Sequence, residues 1–335
     1  MDLKQLTEMN AVSGHEQAIR RALLAELKAM GVPASIDRAG NVVAVKKGTA
    51  EQARRVMISA HMDEVGLIVT SVTEEGFLRV APVGGVDPRV VISKRVLVGD
   101  EKLHGIIGAM AIHLQSPEDR KRVLNYSDIY VDIGAKDKAE AESKAPMGTY
   151  IAFDTEYVEY GDGRACAKAL DDRVGCYNLL RLLKEDYPCD VVAVFSSEEE
   201  VGCRGAKGAA FAQAPDVGLA LEGTSANDLG MTPKPLQCCA QGLGVAVSFM
   251  DGASIANRAL FQKALAVAEA EGIAHQVKHA VSGGNDAGAI QRAREGVPTL
   301  VLSVPCRYIH SPSTVAKISD VDAQLALTKA LLRSL

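Results

Sequence analysis

Continuous apolar runs and runs of helical period alternate over most of the chain. The run at 190–195 is almost entirely apolar, as in a strand that is buried on both faces. Ile19, Leu23 and Leu27 recur every four residues and predict a helix that ends at Gly31. This alternation predicts an α/β fold, with a mixed and mostly parallel sheet sandwiched by helices.

Side chains that can cap helices mark several of the predicted boundaries. Ser13 and Glu16 have the spacing of a capping box before the first of these helices. Ser319 and Asp322 are expected to cap the last helix. A further helix is predicted from about residue 254 to residue 271.

A segment of different character interrupts this pattern. From about residue 66 to residue 153, short strand-like stretches of alternating polarity lie between Gly and Pro turns, with a single helical stretch. We therefore expect a small β-barrel-like domain, 66–153, inserted into an α/β domain formed by 1–65 and 154–335.

The composition is that of a globular protein in a reducing compartment. The 335 residues are 47% hydrophobic and 24% charged, with a net charge of -5. This balance gives no electrostatic basis for binding nucleic acid or an anionic membrane. The first residues lack the features of a secretory signal, so a cytoplasmic location is expected. The seven cysteines lack the paired spacing of a thiolate zinc site, and Cys238 and Cys239 are interpreted as buried free thiols.

Histidine and acidic side chains stand where the apolar strands end. Four predicted strands end at or shortly before such a residue, and a pair of aspartates precedes a helix. These positions are His61, the run Glu198–Glu200, Glu222, His310 and the pair Asp171–Asp172. One such side chain alone is ordinarily just hydrated. All five are expected to converge, because ligands bind at the carboxyl ends of the strands in an open α/β sheet.

Two histidines and three carboxylates are too many ligands for one tetrahedral zinc ion that must keep an open position. They suit two divalent metal ions that share a bridging carboxylate. Mixed nitrogen and oxygen ligands favour zinc, cobalt or manganese over calcium or magnesium. Asp63 lies two residues after His61 on the same side of an extended chain, and we expect it to hold the imidazole.

Four motifs, in order around the insert, resemble those of one family. AHMDEVG, ALDDRVG, EEEVGCRG and YIHSP are similar to motifs of the TET-type (tetrahedral) aminopeptidases. These are cytosolic dinuclear metallopeptidases that include glutamyl and deblocking enzymes. The resemblance covers essentially the whole chain, including RVLVGDEKLHGIIG in the insert and GGNDAGAI at 283–290.

The resemblance implies a role for each of these residues. Asp171 would bridge the two metal ions. The remaining ligands would be His61 and Glu222 at one ion, and Glu200 and His310 at the other. Glu199 would be the general base that takes a proton from the attacking water, and Asp63 would orient His61. Glu198 is expected to point away, by strand alternation.

Two further expectations concern geometry. Some relatives have Asp where this chain has Glu222, so the ligand geometry there is expected to differ slightly. The Asp171–Asp172 peptide bond is expected to be cis, as in related dinuclear peptidases.

The sequence is compatible with four functions. The leading one is removal of N-terminal residues from short peptides. A dinuclear amidohydrolase or deacylase of N-acyl amino acids would use the same metal chemistry. Glu199 and Asp171 could also form the acid/base pair of a glycosidase, but the absence of Trp argues against sugar binding. A non-catalytic metal-binding assembly subunit would not need Glu199.

The resemblance also implies an assembly. Residues 1–65 and 154–335 would form the metallopeptidase domain, and the insert 66–153 would provide subunit contacts and control access. The expected product is a homo-oligomer, specifically a hollow tetrahedral dodecamer with active sites facing inward. Such a particle would admit only short or unfolded peptides.

Overall fold

The computed structural model describes residues 1–335 and contains nine α-helices and seventeen strands. The helices are α1 (Leu3–Thr7), α2 (Gln17–Ala29), α3 (Pro88–Val91), α4 (Lys138–Lys144), α5 (Leu170–Leu182), α6 (Arg204–Gln213), α7 (Arg258–Ala270), α8 (Asp286–Gln291) and α9 (Ile318–Ser334). No helix combines the length and the hydropathy needed to cross a membrane.

The strands are β1 (Ala34–Ile36), β2 (Val42–Lys46), β3 (Arg55–His61), β4 (Gly66–Val72), β5 (Leu78–Val83), β6 (Arg95–Val98), β7 (Leu103–Ala109), β8 (Ile129–Asp132), β9 (Tyr150–Phe153), β10 (Val158–Tyr160), β11 (Arg164–Ala167), β12 (Asp190–Ser196), β13 (Val217–Ser225), β14 (Val245–Ser248), β15 (His275–Lys278), β16 (Thr299–Arg307) and β17 (Thr314–Lys317).

Eleven of these strands form one mixed sheet. Its hydrogen-bonded order is β1-β2-β12-β3-β13-β16-β17-β11-β10, and β14 and β15 join it through β16. The four central strands, β12, β3, β13 and β16, are parallel to one another, whereas β2, β14 and β17 pair with them in the antiparallel sense. The predicted mixed sheet is confirmed. Its central parallel part consists of the four strands that lead to the candidate ligands, and β14 and β15 form a separate parallel pair.

Helices cover both faces of this sheet. Val191, Ala193 and Phe195 of β12 belong to a cluster of 37 buried residues that includes side chains of α2, α5, α7 and α9. Val192 and Val194 face the opposite side and pack with α6 and α8 in a cluster of 11 buried residues. Because both faces of β12 are buried, the strand is apolar at almost every position.

The remaining six strands close into an antiparallel barrel in the order β4-β5-β8-β7-β6-β9. The barrel has its own core of 16 buried residues. Gly66 is the first residue of β4, where the chain passes from the large sheet into the barrel, and other parts of the chain lie very close to it. A Cβ atom at this position would lie 2.5 Å from Val12 Cγ2 and 2.7 Å from the carbonyl oxygen of Ile151. Only glycine fits at this position. The closed barrel confirms the predicted β-barrel-like insert.

The predicted capping box before α2 is wrong. The N-cap residue is Glu16, and its side chain makes no capping hydrogen bond. The Ser13 hydroxyl donates to the carboxylate of Asp63 instead, at 2.6 Å. A distant buried carboxylate therefore replaces the local backbone as the partner of this serine.

Two other helix starts also differ from expectation. The first turn of α9 has no side-chain cap, so neither Ser319 nor Asp322 has the predicted role, and Asp322 accepts a hydrogen bond from Arg181 at 2.8 Å. The helix predicted from about residue 254 begins after Asn257, whose side chain caps it.

A buried ion pair fastens the chain next to the end of β3. Glu64 and Lys168 are 1% and 2% exposed, and Lys168 Nζ donates to both carboxylate oxygens at 2.7 Å. Glu64 also accepts a hydrogen bond from the backbone N–H of Ala11 at 2.8 Å. Lys168 donates to the carbonyl oxygen of Met9 at 3.0 Å. The pair thus holds the N-terminal segment against the start of the barrel.

Lys168→Met is expected to lower the free energy of unfolding by about 3 kcal/mol, because it removes the ammonium 2.7 Å from both oxygens of the buried Glu64 and leaves only Arg173, at 3.8 Å, as a counter-charge. The double variant Lys168→Met/Glu64→Gln should regain only part of this loss, because the buried Arg173 then loses its one carboxylate partner within 4.0 Å. Urea denaturation measures both. Lys138→Met is the control, since its ion pair with Glu74 at 2.8 Å is exposed and should contribute less than about 1 kcal/mol. Equal losses at Lys168 and Lys138 would contradict the prediction.

Candidate metal centre

The strand ends bring the predicted residues into one cluster. β12 and β3 are parallel, with Ser196 beside His61, so the glutamate run follows directly at the carboxyl end of β3. Glu222 lies beside Ser303 of β16. It does not end its strand as predicted, because β13 continues to Ser225.

Asp171 occupies the middle of the cluster. Its Oδ1 is 3.6 Å from Nε2 of His61, and its Oδ2 is 3.5 Å from Nε2 of His310. Glu222 Oε2 is 3.9 Å from the same nitrogen of His61, and Glu200 Oε2 is 3.4 Å from that of His310. Two trios result, each with its ligand atoms within 4.8 Å of one another, and Asp171 belongs to both.

The cluster holds more negative than positive groups. Its carboxylate side chains are 4–11% exposed, and the basic side chains within 4.0 Å of them are the two histidines. Glu222 Oε1 is buried without any hydrogen-bond partner. Unpaired buried charge costs on the order of several kcal/mol per ion. Nitrogen and oxygen donors with surplus negative charge fit divalent metal ions.

The pKa values of the cluster reflect the same surplus. Burial, supported by neighbouring carboxylates, raises the pKa of Glu199 to about 8 and that of Glu200 to about 7. The hydrogen bond to Asp171 is the main cause that raises the pKa of His310 to about 9. Burial opposes the charged form of His61, but its contacts with carboxylates outweigh burial and raise its pKa well above 6.5. In the absence of cations, protons therefore offset part of the negative charge.

Asp63 holds both His61 and the glutamate turn. Nδ1 of His61 lies 3.2 Å from the backbone carbonyl oxygen of Asp63 and 3.4 Å from its Oδ1. The backbone N–H groups of Glu199 and Glu200 donate to its two carboxylate oxygens at 3.1 and 3.2 Å, and Ser13 supplies a further donor. Asp63 therefore positions a histidine, through its carbonyl and carboxylate oxygens, and two glutamates, through its carboxylate. The sequence predicted only the contact with His61.

Glu198 points away from the cluster, although not for the predicted reason. β12 ends at Ser196, so strand alternation does not extend to Glu198. Its backbone is left-handed, with φ 53°, and its carboxylate accepts a hydrogen bond from Arg204 at 2.9 Å.

The two consecutive aspartates have different surroundings. The peptide bond between them is cis, as expected. Asp171 Oδ1 accepts a hydrogen bond from the N–H of Gly223 at 3.0 Å, and a Cβ atom at Gly223 would lie 2.7 Å from that oxygen. Asp172 instead accepts from the N–H of Gly175 at 3.0 Å, in the first turn of α5. Only Asp171 belongs to either trio.

The barrel contributes one contact that the sequence analysis does not predict. The carbonyl oxygen of Gly85, in the loop after β5, lies 3.2 Å from Nδ1 of His310. A carbonyl only accepts, so Nδ1 carries a proton, and Nε2, which faces Asp171, is the nitrogen that can bind a cation once its own proton is displaced. The pair Gly84–Gly85 is the only local mark of this contact in the sequence.

The carboxylate of Asp286 is a second group near the cluster that the sequence pattern does not predict. It is completely buried at the start of α8 and accepts hydrogen bonds from Ser59 and Ser196. It forms a third group of possible ligands with Glu199 and Cys203. The capping residue before it, in the stretch GGNDAGAI, is the only local signal, and it gives no indication of the contact with the cluster.

The cluster opens into a cavity of about 630 Å³. Neutral polar side chains, including Asn227, Ser282 and Asn285, also line it. The cavity is of a size that accommodates a few residues of a peptide.

A mixed sheet between helices, with histidines and carboxylates at the carboxyl ends of its parallel strands, defines a metal-dependent peptide hydrolase of the zinc-peptidase type. The chain belongs to the M42 glutamyl aminopeptidase family, whose model matches residues 40–327. The resemblance inferred from the motifs is thereby confirmed.

Individual relatives match over nearly their full length. The chain is 36% identical over 344 residues to the lysyl aminopeptidase of Pyrococcus furiosus, covering 99% of this chain and 96% of the relative. An aminopeptidase from Desulfurococcus kamchatkensis has a TM-score of 0.93 at 34% identity, covering 99% of this chain and 94% of its own. The TET1 peptidase of Pyrococcus horikoshii, which can assemble into a tetrahedron or a large octahedral shell, has a TM-score of 0.87 at 32% identity, with 99% and 98% coverage.

Metal affinity is expected to rise with pH between about 6 and 9, because cations must displace the protons held by the ligands Glu200 and His310 and favour the ionised form of Glu199 beside them. Calorimetric titration of the cation-free protein with Zn²⁺ or Co²⁺, in two buffers of different ionisation enthalpy, counts the protons released. More protons should be released at pH 6.5 than at pH 9.5. An affinity that does not change over this range would contradict the prediction.

Proposed function

We propose that this protein is a dinuclear metal-dependent aminopeptidase that removes N-terminal residues from short peptides. The observation that carries the proposal is the placement of Asp171, whose two oxygens face different histidines at 3.6 and 3.5 Å. A carboxylate placed in this way supports a bridging role between two cations. The other ligands would be His61 and Glu222 at one cation, and Glu200 and His310 at the other.

Two divalent cations, zinc by preference and otherwise cobalt or manganese, would polarise the scissile carbonyl and acidify the attacking water. Glu199 is the general base in this proposal. Its Oε2 is 3.9 Å from Nε2 of His61, so it borders the cluster without belonging to either trio. It takes a proton from the attacking water and returns it to the leaving amine.

Positioning residues keep this geometry fixed. Asp63 holds the ring of His61 and the backbone of the glutamate turn, and the carbonyl of Gly85 sets the tautomer of His310. Such outer contacts orient ligands and increase their basicity. The cations would also bind the free α-amine of the peptide, which supports cleavage at the N-terminus.

Glu199→Gln is expected to retain the bound metal and to lose about 10²–10⁴-fold in kcat, because it removes a base and leaves the ligands in place. Hydrolysis of an aminoacyl p-nitroanilide and metal analysis of the same sample measure the two effects. His61→Ala and His310→Ala are the comparison variants, and each should lose metal and activity together. Chelation should abolish the wild-type activity, and the N-acetylated substrate should remain uncleaved.

Substantial turnover by Glu199→Gln at full metal occupancy would contradict the role of Glu199. Full metal occupancy in either histidine variant would contradict the ligand set. Cleavage of the N-acetylated substrate alone would replace the aminopeptidase with a deacylase.

We also propose that the chain forms a homo-oligomer, specifically a tetrahedral dodecamer, through the inserted domain 66–153. Exposed apolar side chains support this role. Ile112, Leu114 and Val123 are 70%, 68% and 60% exposed, all in the segment between β7 and β8. Clustered exposed apolar side chains are typical of subunit contacts. All seven cysteines are free, which supports a cytoplasmic location for the assembly.

Light scattering of the wild type is expected to give about twelve times the 35.4 kDa subunit mass. The double variant Ile112→Asp/Leu114→Asp should give smaller species, because it places charge in the proposed contact. Val158→Asp is the control. Val158 is also exposed, at 55%, but it lies on the edge strand β10 of the large sheet. A monomeric wild type with full peptidase activity would contradict the proposed assembly.

A further inference from the structure

One basic side chain of the active-site cavity has no counter-charge. Lys278 is the last residue of β15 and is 8% exposed. Among the residues that line the cavity it is the only lysine, and no arginine lines it. Lysine is almost never so buried unless it is paired.

The ammonium group of Lys278 takes part in none of the ion pairs within 4.0 Å that the chain forms. The acidic residues that line the cavity are Asp171, Glu199, Glu200 and Glu222, and their basic neighbours are the two histidines. The cavity is therefore lined by the carboxylate-rich cluster of candidate metal ligands and, in addition, by one basic side chain that forms no ion pair.

One other group in the cavity could balance this charge. The thiol of Cys238 lines the same space, and its hydrogen bond with Cys239 lowers its pKa, with a smaller contribution from the charge of Lys278. If a Cys238 thiolate paired with the lysine, no substrate charge would be needed. This alternative predicts that the lysine has no effect on the choice of substrate.

We propose that Lys278 is a specificity-determining residue that binds a carboxylate of the peptide substrate. The inference rests on the proposed aminopeptidase function and adds to it a preference for substrates that carry negative charge in this cavity. A substrate carboxylate would replace the solvent that reaches this ammonium in the open cavity, whereas a neutral group would displace the solvent and leave the ammonium unpaired.

Two parts of a short peptide carry such a carboxylate. One is the side chain of an N-terminal Glu or Asp, and the other is the C-terminal carboxylate of a dipeptide. Both fit in a cavity of about 630 Å³ that also contains the metal cluster. Substrates that carry only one of the two distinguish these sources.

The test compares kcat/KM for two matched pairs of substrates. Glu-p-nitroanilide and Gln-p-nitroanilide differ in the side-chain charge and have no C-terminal carboxylate. Ala-Ala and Ala-Ala-amide differ in the C-terminal charge alone. The variants are Lys278→Gln, which removes the charge, and Lys278→Arg, which keeps it. Lys207→Gln is the control, because Lys207 is exposed on α6 and does not line the cavity.

The wild type is expected to prefer the charged member of at least one pair. Lys278→Gln should lower kcat/KM for that member by about ten- to a hundredfold and leave its neutral partner nearly unchanged, as for the loss of a charged hydrogen bond. Lys278→Arg should keep most of the preference, and Lys207→Gln all of it. A loss confined to the anilide pair identifies the N-terminal side chain, and a loss confined to the dipeptide pair identifies the C-terminus.

An equal loss on charged and neutral substrates would overturn the proposal and indicate a structural role, as would a preference that Lys278→Gln leaves intact. Metal analysis of each variant shows that the cluster has formed. If the wild type cleaves these peptides without any charge preference, only the assignment of Lys278 fails. If it cleaves none of them, the proposed aminopeptidase function fails, and this inference with it.

Discussion

The structure is organised around the surplus of negative charge beside Asp171. The fold does not neutralise it with lysine or arginine. It stabilises the carboxylates with backbone dipoles: the N–H of Gly223 donates to Asp171, and the N–H groups of Glu199 and Glu200 donate to Asp63. Dipoles fix positions without cancelling net charge. The site therefore keeps an attraction for cations that an arginine in the same place would remove.

The location of this cluster could be predicted because parallel strands impose a common edge. β12, β3, β13 and β16 proved to be the parallel centre of the sheet, so ligands at or near their carboxyl ends had to meet. The order and number of the outer strands could not be predicted in the same way. Those strands pair in the antiparallel sense, and nothing in their local polarity specifies their neighbours.

The contacts that complete the site depend on tertiary packing, which short-range spacing does not encode. Ser13 shows the difference. Its spacing to Glu16 fits a helix cap, yet its hydroxyl donates to Asp63, fifty residues away in the chain. Asp286 reaches Ser59 and Ser196 across a still longer separation. A local rule predicts a local partner, and it fails where a buried carboxylate offers a stronger one.

The barrel contacts the cluster of candidate metal ligands directly, through the loop that follows β5. Gly84 has φ 80° and leaves no room for a side chain, since a Cβ atom there would lie 2.8 Å from Val65 and 3.3 Å from Glu200. The next carbonyl, that of Gly85, holds Nδ1 of His310. His310 is thus oriented by the barrel while its Nε2 faces Asp171 of the large sheet. Any displacement of the barrel would change the direction of this nitrogen, so the position of the barrel and the geometry of the candidate metal centre are physically coupled through one loop.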